Sequence, residues 1–90
     1  MEEDKKQYLA LLSEIVAKAM VIFGPDMAVL KARLVSGLIV DSKGNVTDIQ
    51  GYIADATKAL TDEYLKLSDQ SMKSAIDSIF AKYPQISKIY

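Results

Sequence analysis

Over residues 3–23 the apolar positions are Tyr8, Leu9, Leu11, Leu12, Ile15, Val16, Ala19, Met20, Ile22 and Phe23. That is the spacing of one broad helical face, and it predicts a first helix. Glu2, Glu3 and Asp4 stand where the helix dipole favours negative charge. The opposite side, Ala10, Glu14, Ala17, Lys18 and Val21, is only mildly polar. A helix apolar most of the way round is central to its domain or shared with a partner.

Gly24-Pro25 breaks the pattern, because glycine tolerates the backbone that ends a helix and proline suits the first turn of the next. A second helix is expected over 25–36, burying Met27, Leu30 and Leu34 with Ala28, Val35 or both, and turning Lys31 and Arg33 toward solvent. Gly37 stops it. The segment GLIVDSKGNVTDI, residues 37–49, does not read as helix. Leu38, Ile39 and Val40 form a short apolar run, 41–45 is dense in turn formers, and Val46 and Ile49 resume the apolar spacing. It is expected as an insert that either pairs as a hairpin or lies as extended strips over the helix ends. An isolated hairpin is marginal, so either form needs packing beneath it.

The third helix should begin between 48 and 53, with Thr47 and Gln50 at capping-box spacing. Its buried stripe reads Ile49, Ile53, Ala56, Leu60, Tyr64 and Leu67, opposite a mixed-charge face of Asp55, Lys58, Asp62 and Lys66. Ser68 is placed to cap a fourth helix that buries Met72, Ala75, Ile76, Ile79, Phe80 and Tyr83 and closes at Pro84. The tail 85–90 carries Ile86, Ile89 and Tyr90, enough for a last turn that docks. The fold class expected is all-α: a small four-helix bundle with a short extended or β-hairpin insert between helices 2 and 3, as one domain over 1–90.

Composition narrows the chemistry. Half of the 90 residues are apolar, a generous supply for a chain too short to enclose much core. The net charge of −1 supplies no basic field for phosphate backbone, so nucleic acid is not the expected partner. There is no cysteine and no histidine, which removes thiolate sites and the commonest general base and metal ligand. Setting Gly44 at the sixth position of a calcium loop puts Ile39 first, Asp41 third, Lys43 fifth and Gln50 twelfth. One carboxylate and a lysine in those slots give no metal site. The mixed-sign start and the interruptions at Glu14 and Lys18 do not form a signal peptide, and no apolar run is long enough to span a membrane, so a cytoplasmic location is expected.

Two local resemblances bear on the insert. The pair Asp41-Ser42 resembles that of acyl carrier proteins, whose serine accepts phosphopantetheine, but a leucine normally follows that serine and here Lys43, Gly44 and Asn45 do. The stretch GLIVDSKGNV resembles the strand-turn-strand opening of roadblock-type domains, which dimerise and act as adaptors, although the further strands of such a domain are missing from the sequence.

The function expected is a non-catalytic protein–protein interaction module, adaptor or accessory, that forms a homodimer or binds another protein. Its contact residues are expected at Ala10, Ala17 and Val21 on the first helix and at Ile86, Ile89 and Tyr90 in the tail. No catalytic residue, cofactor or metal is expected. Two alternatives stay open. One is a small helical nucleic-acid-binding domain using Lys31, Arg33 and lysines 66, 73, 82 and 88. The other is a carrier or small-ligand-binding bundle using Ser42 or an internal cavity.

Overall fold

The chain runs from residue 2 to Phe23 without a glycine or proline, and it is helical over that whole length. In the computed structural model, residues 2–67 and 70–84 are described, with side chains from residue 5 onward. The elements in order are α1 (Glu2–Phe23), α2 (Pro25–Arg33), β1 (Leu38–Val40), β2 (Val46–Ile49), α3 (Ile53–Leu65) and α4 (Gln70–Ala81). The expected class holds: an all-α domain of four helices among the described residues, with a small antiparallel hairpin between α2 and α3.

Helix α1 is the central element and packs against α2, α3, α4 and β2. Leu11, Leu12, Ile15, Val16 and Ala19 are completely buried along it. Each of the four larger ones contributes about 1.5–3 kcal/mol by leaving water. The helix ends because Gly24 adopts φ 96°, with its N–H donating to the Met20 carbonyl at 3.1 Å. The Gly24 carbonyl then accepts from Ala28 N–H at 3.1 Å and starts α2, which has Pro25 in its first turn.

Helix α2 is shorter than expected and rotated from the expected face. Ala28, Ala32 and Val35 are buried, while Met27, Leu30 and Leu34 are exposed. Alanines at the contact let α2 approach closely, and the Tyr64 hydroxyl, buried in α3, donates to the Ala28 carbonyl at 2.7 Å. Turning the leucines inward would withdraw that carbonyl and Val35 from the core. The large apolar side chains therefore stay outside.

The insert takes the hairpin form. Leu38 pairs with Ile49, Ile39 with Asp48 and Val40 with Val46, and the register shift between Ile39 and Val40 leaves a bulge opposite them. Leu38, Val40, Val46 and Ile49 face the helices, which supplies the underlayer that a two-stranded sheet needs. Ser13 on α1 fastens it, its Oγ accepting from Val46 N–H at 2.9 Å. Gly37 opens the hairpin at φ 86°, where a Cβ would overlap the Gln50 carbonyl oxygen. The turn is closed by Asp41, whose Oδ1 accepts from the N–H groups of Lys43 at 2.9 Å and Asn45 at 2.8 Å.

Helix α3 is capped by Tyr52 without a side-chain bond, so the expected Thr47–Gln50 box does not form. Thr47 lies in β2 and donates to the Ile39 carbonyl instead. The buried stripe is Ala56, Thr57, Leu60, Thr61 and Tyr64. Its threonines, unforeseen in the stripe, enter the core by donating to carbonyls one turn back, Ile53 at 2.9 Å and Thr57 at 2.8 Å. Helix α4 buries Met72, Ala75, Ile76, Ile79 and Phe80 as expected. It ends at Ala81, ahead of Pro84. The expected cap Ser68 and the tail residues Ile86, Ile89 and Tyr90 lie outside the described residues.

Candidate functional site

Because α2 turns its alanines inward, its outer side carries three exposed large apolar side chains. Met27 is 43% exposed, Leu30 57% and Leu34 63%. They stand at i, i+3 and i+7, so they share one stripe along the helix. Two open grooves adjoin it and share Pro25, Asp26 and Leu30. The first, about 410 Å³, also includes Phe23 and Met27. The second, about 320 Å³, adds Val29, Arg33 and Ser42.

Charged groups border the stripe. Asp26 stands in the first turn of α2, with Lys31 and Arg33 in the last. Lys31 lies 3.9 Å from a Glu63 carboxylate oxygen on α3. Arg33 is exposed, but its Nε donates to the Val40 carbonyl at 3.3 Å, which ties its head to β1.

A second exposed strip lies on α1. Ala10, Ala17 and Val21 are all exposed, as the sequence leads one to expect, and Val21 is 79% exposed. The remaining expected contact residues, Ile86, Ile89 and Tyr90, fall outside the described residues. Glu14 interrupts the α1 strip. It accepts from Tyr83 Oη at 2.5 Å and from Lys82 Nζ at 3.0 Å. The Tyr83 bond, then the Lys82 bond, hold its carboxyl below the usual value, and the same contact with Glu14, aided by burial, pushes the Tyr83 phenol up to about 12. This cluster joins α1 to the end of α4.

Two further carboxylates are similarly occupied. Asp48 pairs with Lys5 at 2.5 Å, and that contact, helped by the Ile49 N–H, lowers its pKa. The Asp41 carboxyl is lowered chiefly by the Asn45 N–H in the turn it closes. Ser42 is exposed on that turn rather than opening a helix. Lys66 pairs with Glu63 and Lys82 with Glu14, which neutralises two of the lysines that a basic strip would need. Among the described residues no cluster of three acidic side chains is placed to hold a metal ion, and no helix is long and apolar enough to cross a membrane.

Compared with known protein families, with curated proteins and with solved structures, the chain matches none of them.

The α2 stripe is the feature that sequence reasoning missed. An amphipathic count puts its residues in the core, because three bulky side chains outweigh two alanines. The available signal is the pair Ala28 and Ala32, small residues one turn apart, the pattern of a close helix contact.

Proposed function

We propose that this protein is a non-catalytic protein–protein interaction module that self-associates as a symmetric dimer through apolar helix surface. The observation that carries this reading is the exposure of Met27, Leu30 and Leu34 as one stripe on a helix whose other side is fully packed. Covering such side chains removes apolar area from water, and a two-fold pairing covers the same patch twice. The exposed Ala10, Ala17 and Val21 on α1 add a further apolar strip to the same small domain.

The absence of cysteine and histidine from the chain supports the non-catalytic part, since serine and threonine lack their usual activators. The buried threonines are engaged with the helix backbone, and the acidic groups Glu14, Asp41 and Asp48 each serve a structural contact.

Sedimentation velocity over a micromolar dilution series tests the reading. The expected result is a monomer–dimer equilibrium for the native chain and a shift to monomer on Leu30→Asp, with the helical spectrum unchanged. A native chain that sediments as a monomer throughout contradicts it.

A further inference from the structure

Asp26 and Arg33 are seven residues apart on α2, so they lie on the same side of the helix, along one edge of the exposed stripe. We infer that two copies dock α2 against α2 in antiparallel orientation, about a two-fold axis beside Leu30, with Asp26 of each copy facing Arg33 of the other. This rests on the self-association proposed above and specifies the surface and orientation it uses.

The geometry follows from the helix repeat. Asp26 precedes Leu30 by four residues, about 6 Å of rise, and Arg33 follows it by three, about 4.5 Å. A two-fold axis perpendicular to both helices keeps each edge on its own side and reverses direction. Asp26 of one copy then comes level with Arg33 of the other to within about 1.5 Å along the axis. The same operation sets Met27 against Leu34 and Leu30 against its own equivalent, so the whole stripe is covered at once.

Charge selects this orientation over the parallel one. A parallel pairing, whose two-fold axis runs along the helices, would carry each edge to the opposite flank. Asp26 would lose Arg33 as its partner, and Arg33 would lie within about 3 Å of rise of Lys31 of the other copy, like-charge contacts in place of opposite-charge ones. On the second edge the two copies of Lys31 come within about 3 Å of rise of each other, and Glu63, 3.9 Å from Lys31 in its own chain, offsets that like-charge contact. The tether from Arg33 Nε to the Val40 carbonyl holds the arginine at the stripe's edge before association, which reduces the ordering it must undergo. The grooves beside Leu30 leave room for side chains of the second copy.

The test is a mixing experiment with charge reversals at exposed positions. Asp26→Arg alone and Arg33→Asp alone should each weaken the homodimer by about tenfold or more, since each puts like charges at both contacts. Mixed one to one, the two variants become complementary and should form a heterodimer of near-native affinity. Because the chain has no cysteine, orientation can be read separately. Oxidising Met27→Cys mixed with Leu34→Cys should give mainly the mixed disulfide, while each alone should cross-link slowly.

A native dimer whose affinity ignores both reversals overturns the pairing and leaves the interaction function on another face, while cysteine variants that each cross-link to themselves faster than to each other overturn the antiparallel orientation on this same face. A native chain that never dimerises overturns both. The cysteine readout decides the orientation even if a charge reversal unsettles the fold.

Discussion

The Tyr64 hydroxyl donates to the Ala28 carbonyl at 2.7 Å, joining the buried side of α3 to the buried side of α2 across 36 positions of sequence. Tyr64 is fully buried and stacks on Phe23 at the end of α1, with ring centroids 6.3 Å apart. Three helices therefore meet at one side chain. The bond needs the Ala28 side of α2 turned toward α3, and in that rotation Met27, Leu30 and Leu34 lie outside.

Tyr64→Phe should be destabilising by about 1 kcal/mol, the usual net worth of a buried hydrogen bond, which corresponds to a Tm roughly 4–8 °C lower. Thermal unfolding followed by circular dichroism measures it. If the bond fixes the rotation of α2, the variant should also show altered amide signals at residues 27–34, well away from the substitution in sequence.

Gly37→Ala should cost about 2 kcal/mol or more. Its φ of 86° strains any residue with a side chain, and the added methyl would meet the Gln50 carbonyl. The Gly37 carbonyl accepts from Gln50 N–H at 2.7 Å, so relieving the overlap loosens the hairpin base. A lower urea midpoint with an unchanged slope is the expected outcome.

Stability should form a plateau bounded on both sides by titration. The Glu14 carboxyl is lowered from its ordinary 4.5, so its contribution is complete above that value and is lost as pH falls through the depressed one. Asp41 and Asp48, also lowered, add to the same acid limb. The Tyr83 phenol is raised from 10.0 to about 12, so its contribution is complete below pH 10 and disappears as pH rises between those values. Burial raises Tyr64 as well, which adds to the alkaline limb. Urea midpoints across pH should show Glu14→Gln and Tyr83→Phe each flattening part of both limbs, because each group shifts the other.

Much of the fold was legible in the sequence, and the failures share a cause. The α1 and α4 faces were readable because their apolar residues are large and evenly spaced, and Gly24-Pro25 marked a break that the backbone confirms. The sequence does not choose between hairpin and strip because three or four apolar residues fit either equally well; the hairpin is fastened by Ser13, 33 positions away from Val46. Thr57 and Thr61 escaped because their polarity is satisfied by the helix's own carbonyls. A helix of nine residues offers two possible apolar faces, and the bulkier one in α2 is the one that faces out. The choice between them is made by Tyr64 and the Gly-Pro turn.

A dilution series of amide proton–nitrogen spectra tests the exposed α2 face most directly. As concentration rises through the micromolar range, signals from Met27, Leu30 and Leu34 should move together along one binding curve, with Asp26 and Arg33 following them. Spectra that stay unchanged over that range, or shifts confined to residues away from α2, would contradict the account.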